Sequence, residues 1–219
     1  VSADHGVREP FTVRLDRDTA GALYRDAVAG RLDPHGARLF RGAMLLEMGR
    51  MSADDGLVMT IHPGVHRNHS SATFARFGAD SGHDIPIATE YTSNLRPLLE
   101  EVGLRPGMHI VAFSIDETAY SRELAPLAGF YPSLYIGAPW WFLDAPDAAL
   151  RVRAAVTETA GFYRGSGFID DTRAFLSIPA RHDMARRLDA AFLARLVVEG
   201  RLAMAAAERV IVDITDSLP

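Results

Sequence analysis

The stretch Leu57-Val58-Met59-Thr60-Ile61-His62-Pro63-Gly64 shows the pattern from which the fold of this chain can be predicted. A short apolar run ends in a histidine and a Pro-Gly turn signal. Similar runs follow at residues 109–113, 134–137 and 167–169. Continuous apolar runs of this length are typical of strands buried on both faces of a parallel sheet. We therefore expect a parallel sheet built from these segments.

Amphipathic segments separate the apolar runs and predict helices. Asp33 followed by Pro34 is typical of an N-cap with proline in the first turn, and predicts a helix to about residue 51. Further helices are expected at residues 19–29, 86–102, 117–128, 144–163, 179–199 and 204–218. Alternating strands and helices indicate right-handed βαβ units, here within a single α/β domain over residues 1–219.

The composition excludes several chemistries. The chain has 219 residues, no Cys, and 23 basic residues that are all Arg. Disulfides, thiolate nucleophiles, Cys-ligated zinc and catalytic or phosphate-binding lysines are therefore excluded. A net charge of -5 argues against nucleic acid as a partner. Because no apolar run is long enough to cross a bilayer, and no signal peptide is recognisable, we expect no membrane association.

Polar side chains concentrate at the carboxyl ends of the predicted strands. In parallel α/β folds this edge holds the ligand, so the clustering predicts a single convergent site. The residues concerned are His62, His66, Arg67, Asn68 and His69 after the first run, Asp116, Glu117, Tyr120, Arg122 and Glu123 after the second, Trp140 and Trp141 after the third, and Asp170, Asp171 and Arg173 after the fourth.

Each main candidate has a chemical and a structural interpretation. His62 could be a metal ligand or a proton-transfer group, or simply a hydrogen-bonded histidine at a strand end. Asp171 could bind a divalent cation or take a proton, or cap a helix, and Arg173 could bind a carboxylate or a neighbouring Asp. Two successive tryptophans, Trp140 and Trp141, point in different directions, so one could stack on a sugar-sized ligand while the other belongs to the core.

Other polar clusters are weaker candidates. His66 and His69 are interpreted first as solvated loop residues. Residues 181–183, Arg-His-Asp, are typical of a helix start, where capping and the helix dipole explain them as well as a site does. Residues 4–6, Asp-His-Gly, could be a metal or substrate motif, but so near a chain terminus we expect a frayed end.

Several motifs, in their order and spacing, resemble those of the uronate (glucuronate) isomerases. The similarity runs essentially from end to end of the chain. The motifs are Ile61-His62-Pro63-Gly64-Val65-His66-Arg67-Asn68-His69, Gly137-Ala138-Pro139-Trp140-Trp141-Phe142 and Asp170-Asp171-Thr172-Arg173-Ala174-Phe175-Leu176-Ser177, together with Asp4-His5-Gly6, Ser121-Arg122-Glu123-Leu124-Ala125 and Arg181-His182.

The resemblance implies an activity and roles for individual residues. The family consists of bacterial, cytoplasmic enzymes that interconvert D-glucuronate with D-fructuronate and D-galacturonate with D-tagaturonate, usually with zinc or a similar divalent metal. Asp171 would be the metal-proximal aspartate and handle the proton. His62 would be the active-site histidine and would contact the metal. Arg67 and Arg173 would bind the substrate. Trp140 or Trp141 would line the sugar pocket.

The resemblance also implies a fold, the (β/α)8 TIM barrel of the amidohydrolase superfamily. Family members are longer than this chain, and their first strand supplies a His-x-His pair to the metal that is absent here. The chain would therefore be a partial barrel, strands five to eight of the C-terminal half, with residues 1–5 as the tail of strand four. Such a half would need its missing N-terminal half or further copies of itself, a homo-oligomer.

Two alternatives to an isomerase stay open. A metal-dependent hydrolase could be built on the same barrel, with Asp171 activating a metal-bound water. The chain could also be a catalytically incomplete half barrel that acts only as part of an assembly.

Overall fold

A parallel sheet lies at the centre of the computed structural model, which describes residues 2–170 and 174–218. The strands of these residues are β1 (Ser2–Gly6), β2 (Val58–His62), β3 (Val65–His66), β4 (Ile85–Pro86), β5 (His109–Ala112) and β6 (Leu134–Ile136). The central sheet has the order β1-β2-β5-β6, with every pair parallel. The short strands β3 and β4 pair separately and antiparallel. This arrangement confirms the prediction of an α/β fold with a parallel sheet.

Helices connect and cover the strands. They are α1 (Arg17–Val28), α2 (Pro34–Asp55), α3 (Ser71–Phe77), α4 (Arg96–Val102), α5 (Ala125–Phe130), α6 (Pro146–Ala160), α7 (Ile178–Val198) and α8 (Met204–Val212). The N-cap of α2 is the predicted Asp33, whose side chain accepts a hydrogen bond from the backbone N–H of Gly36 at 2.6 Å. A π-helical turn, Tyr120–Leu124, leads into α5, and another, Asp213–Ser217, follows α8.

The two faces of the sheet differ in burial. The face toward the helices carries apolar side chains that belong to the main core. On β2 these are Met59 and Ile61, both fully buried, whereas Thr60 and His62 on the opposite face are half-buried. The prediction that the strands are buried on both faces is therefore wrong for β2. The half-exposed face carries its polar residues near the carboxyl end, where a ligand could reach them.

Two predicted elements differ from the observed ones. No strand forms at residues 167–169, because Gly167 adopts a left-handed φ of 74° and interrupts the extended chain. Gly165 instead makes a single parallel bridge to Ile136 of β6. The helix expected from residue 86 begins only at Arg96, since Pro86 pairs with Val65 in the small sheet.

The amino-terminal segment is a full strand, so the prediction of a frayed end is wrong. β1 pairs with β2 along its whole length, with Asp4 opposite Thr60 and Gly6 opposite His62. Backbone hydrogen bonding to a neighbouring strand holds a segment that local sequence marked only as terminal. No helix in residues 2–170 and 174–218 is long and apolar enough to cross a membrane.

Candidate active site

His62 lies at the carboxyl end of β2, at the edge where the sequence predicted the site. The strand ends because Pro63 has no N–H to continue the ladder and Gly64 turns the chain with φ 96°. A Cβ at Gly64 would lie 2.4 Å from Thr89 Oγ1, so only glycine fits this turn. The turn therefore stops the strand directly after the histidine and leaves its ring at the sheet edge.

Aromatic rings hold the imidazole of His62 on two sides. The Phe113 ring stacks on it with centroids 4.1 Å apart and an interplanar angle of 13°. Trp140 approaches edge-on at 5.0 Å. Phe113 and Trp140 are only 3% and 6% exposed, so both side chains are tightly packed beside the imidazole. This packing fixes the direction in which the imidazole faces the open side of the sheet.

Asp4 orients the same imidazole from the neighbouring strand. Its Oδ1 lies 2.7 Å from His62 Nδ1 and also accepts a hydrogen bond from the hydroxyl of Thr60. Burial alone would raise the pKa of Asp4, but the Thr60 hydrogen bond and the nearby His62 hold that pKa below its ordinary value of 3.8. A charged Asp4 favours the proton on Nδ1, which leaves Nε2 as the free acceptor of the neutral ring.

Arg67 and the tryptophan pair form the next wall. The Arg67 guanidinium lies 5.0 Å from the centroid of the Trp141 ring and donates to Asp84 Oδ2 at 3.0 Å. Trp141 has a φ of 49°, a region that a bulky residue adopts at a cost of about 1–3 kcal/mol. Trp140 Nε1 is buried without a hydrogen-bond partner among the described residues. The two indole rings contact each other, with centroids 4.7 Å apart and an interplanar angle of 57°.

One open cavity of about 1300 Å³ joins these groups. It is large enough for a sugar, and its walls carry acidic, basic and aromatic side chains. The lining residues include Asp4, Thr60, His62, Arg67, Asp80, Asp84, Phe113, Trp140, Trp141 and Asp170. The structure thus brings together His62, Arg67, Trp140 and Trp141 from the predicted site. Their roles stay predictions.

Two of the predicted site residues, Asp171 and Arg173, lie outside the described residues. The described residues contain no group of three His, Asp or Glu side chains that could hold a metal ion, so on their own they do not fit a metal centre. The Nδ1 of His62 is already engaged by Asp4, which leaves Nε2 as its one free nitrogen. The metal therefore stays a prediction, and no chemical step below passes through it.

Within the polar cluster after β5, Asp116, Tyr120 and Glu123 make structural contacts and do not line the large cavity. Glu123, 4% exposed, accepts hydrogen bonds from the backbone N–H groups of Tyr91 and Thr92 and from the Thr92 hydroxyl. Asp116 accepts from the backbone N–H of Thr89 at 3.0 Å, and Tyr120 is fully buried. The carboxylates of Asp116 and Glu123 anchor the loop that precedes α4, and the residues of this cluster are not among those that line the large cavity.

Some residues of the site were missed by sequence reasoning. Asp4 carried a signal in the Asp-His-Gly motif, but only its pairing with β2 places it beside His62. Phe113 was predicted only as the end of an apolar strand. His66 and His69, the weaker candidates, contact each other with ring centroids 5.5 Å apart and stay outside the large cavity.

Comparison with known proteins gives the site its context. The family model for glucuronate isomerase matches residues 1–216. Uronate isomerases from Caulobacter vibrioides (strain NA1000 / CB15N) and Cutibacterium acnes are each 56% identical, over 100% and 92% of this chain and 45% and 43% of those proteins. The chain thus spans a little under half the length of the curated relatives it matches.

Solved structures agree with the sequence relatives. The crystal structure of glucuronate isomerase from Caulobacter crescentus matches with a TM-score of 0.97 at 56% identity, over 100% of this chain and 46% of that one. The structure of uronate isomerase from Thermotoga maritima matches with a TM-score of 0.94 at 26% identity, over 100% of this chain and 48% of that one. By the family model and by these relatives, the chain belongs to the glucuronate isomerase family.

Proposed function

We propose that this chain supplies part of the active site of a hexuronate isomerase, which converts D-glucuronate to D-fructuronate and D-galacturonate to D-tagaturonate. The observation that carries the proposal is the His62 site. A histidine oriented by a carboxylate and walled by two aromatic rings faces a sugar-sized cavity at the carboxyl edge of a parallel sheet. Family membership supplies the class of substrate.

Aldose–ketose isomerisation needs a proton moved between neighbouring carbons. A base removes the proton from C2 of the open-chain aldehyde, and the carbonyl oxygen O1 takes up a proton to give an enediol. Return of a proton to C1, with loss of the proton from the O2 hydroxyl, then yields the ketose. In the proposed site Asp171 handles the carbon-bound proton. His62 Nε2 exchanges protons with the substrate oxygen atoms, since Asp4 holds the opposite nitrogen.

Substrate binding falls to the cationic and aromatic walls. Arg67 and Arg173 are proposed to bind the hexuronate carboxylate, because a guanidinium matches a carboxylate with two parallel hydrogen bonds. Arg67 is already held over the Trp141 ring at 5.0 Å, which limits the orientations it can take. Trp140 and Trp141 are proposed to stack on the apolar face of the sugar.

The wider assembly is part of the same proposal. We place the chain in the C-terminal part of a (β/α)8 barrel. In this barrel β1, β2, β5 and β6 would be successive strands, and the segment that begins at Gly165 would take the place of the last strand. The rest of the barrel would come from the portion of the relatives' length that this chain does not match, or from another copy. A divalent metal such as zinc would then be bound by Asp171, with His62 near it, in a cytoplasmic enzyme.

A chimera tests the proposed activity. This chain would replace the matching 218 residues of the Caulobacter vibrioides uronate isomerase, and product formation from D-glucuronate and D-galacturonate would be followed by NMR. We expect turnover within about 100-fold of the parent enzyme. A soluble chimera that leaves both uronates unchanged, or that instead hydrolyses a panel of lactones and amides, would refute the proposal. An insoluble chimera would refute the claim that this chain can supply that part.

A further inference from the structure

Arg181 joins two segments that border the large cavity. It lies in the first turn of α7, where its Nε donates to Asp170 Oδ1 at 2.7 Å and its Nη2 donates to Asp144 Oδ2. The two carboxylate side chains are only 3% and 9% exposed, and the arginine side chain is 29% exposed. The guanidinium is therefore shared between two nearly buried carboxylates.

The positions of the two carboxylates show which segments Arg181 connects. Asp144 caps the 3-10 turn Trp141–Leu143, so it ends the segment that carries the tryptophan pair. Asp170 itself lines the large cavity and directly precedes Asp171 in the chain. These segments are 26 residues apart in sequence (170 − 144), and Arg181 contacts both at once.

The electrostatics make the bridge costly to break. Without the guanidinium, two carboxylates would be left nearly buried and unpaired, and a buried charge without its partner strongly destabilises the local structure. Oδ2 of Asp170 is already without a hydrogen-bond partner among the described residues. The segments would therefore move apart or toward solvent until both carboxylates are hydrated.

We propose that Arg181 is a positioning residue, which holds the tryptophan segment and the segment at Asp170 at the separation that the cavity requires. Arg181 does not itself line the large cavity. The expected effect of Arg181 on turnover rests on the proposed function, whereas its effect on the position of the two tryptophans does not.

The chain offers a matched control that also involves α7. Arg153 of α6 binds Asp189 of α7 with two hydrogen bonds of 2.7 and 3.0 Å. The two side chains are 20% and 13% exposed, so this ion pair is also largely buried. Neither residue lines the large cavity or adjoins its segments in sequence. Loss of Arg153 thus removes a similar ion pair that lies outside the large cavity and contains neither Asp144 nor Asp170.

Tryptophan fluorescence of the 219-residue chain tests the positioning directly, because its two tryptophans are Trp140 and Trp141. We expect Arg181→Met to shift the emission to longer wavelength and to increase quenching by acrylamide, since Trp140 is only 6% exposed in the intact site. Arg153→Met should leave both unchanged. Equal emission and quenching in the two variants would overturn the proposal. If Arg181→Met does not fold, Arg181→Lys, which reaches one carboxylate rather than two, is judged by the same criterion.

Turnover in the chimera tests the consequence for catalysis. Misplacement of site segments by about 1 Å can cost about 100-fold in rate, so Arg181→Met should lose about that much and regain part of it with added guanidinium ion. Arg153→Met should stay within about 3-fold of the unsubstituted chimera. Equal losses in the two variants, or no rescue, would overturn the catalytic part. If the unsubstituted chimera shows no turnover, the proposed function fails, while the fluorescence result still decides the positioning role.

Discussion

Gly137→Ala should disturb the site through a single displaced ring. A Cβ at Gly137 would lie 2.3 Å from Cδ1 of Phe113, 2.5 Å from its Cγ and 2.6 Å from its Cε1. The backbone of Gly137 does not have the left-handed φ that would itself penalise alanine, so the whole effect is steric. Phe113 is 3% exposed and stacks on His62, so its ring cannot shift without disturbing its contact with the imidazole.

The magnitude follows from the cost of overpacking a core. One extra methyl group in a tightly packed position typically costs about 1–3 kcal/mol of unfolding free energy. For a chain of this size each kcal/mol lowers Tm by roughly 2–4 °C. Urea denaturation followed by circular dichroism measures the change. In the chimera the shifted ring should also displace His62 and lower turnover by about 10-fold or more.

Gly165→Ala is the matched control. Its added Cβ would meet nothing nearer than 3.8 Å, so we expect a change within about 0.5 kcal/mol. Adding Phe113→Leu to Gly137→Ala should recover part of the lost stability, because the smaller side chain makes room for the methyl group. If Gly137→Ala is as stable as Gly165→Ala, or if the second substitution gives no recovery, the steric argument is wrong.

Further predictions concern the framework around the site. Glu123→Ala should lower the free energy of unfolding by about 3–5 kcal/mol, because its carboxylate accepts two backbone hydrogen bonds and that of the Thr92 hydroxyl. Asp33→Ala should cost about 1 kcal/mol, since α2 loses its N-cap. Hydrogen bonds from Arg50 hold the pKa of Glu101 below its ordinary value of 4.5. The ion pair should therefore contribute its full stabilisation above pH 4.5. This stabilisation should be lost as the pH falls through the lower pKa that Glu101 has in the folded state. Denaturant titrations at a series of pH values measure all of these.

Each of these predictions has its own control. Glu123→Gln keeps an acceptor of the same size and should cost less than Glu123→Ala; equal costs would contradict the hydrogen-bond explanation. Asp55→Ala at the opposite end of α2 should be neutral or slightly stabilising, because a carboxylate there opposes the helix dipole. Glu101→Gln should flatten the acidic limb of the stability profile, and an unchanged limb would rule out this ion pair as its source.

Local patterns in the sequence predicted the features that depend on neighbouring residues. The N-cap at Asp33 and the strand end at His62 are confirmed, because capping and a Pro-Gly turn act within a few residues. The gathering of His62, Arg67 and the tryptophan pair also followed from local pattern, since the carboxyl ends of parallel strands meet at one edge.

Features that depend on distant partners could not be predicted in this way. Asp4 becomes a site residue only because β1 pairs with β2, more than fifty residues away. Arg181 looks like an ordinary helix-start residue until the fold brings Asp144 and Asp170 to it. The apolar run at 167–169 failed as a strand because the left-handed backbone of Gly167 outweighs the apolar pattern.

The central claim is that the carboxyl edge of the sheet, with His62 at its centre, carries the isomerase chemistry. The most direct test is turnover of D-glucuronate by the chimera with His62→Gln, compared with His109→Gln. Both histidines lie on the central sheet, but His109 begins β5 at the opposite edge, where it stacks on Tyr135. Loss of a proton-transfer group typically costs about 100-fold or more. We predict such a loss for His62→Gln and near-normal turnover for His109→Gln; equal turnover in the two variants would contradict the claim.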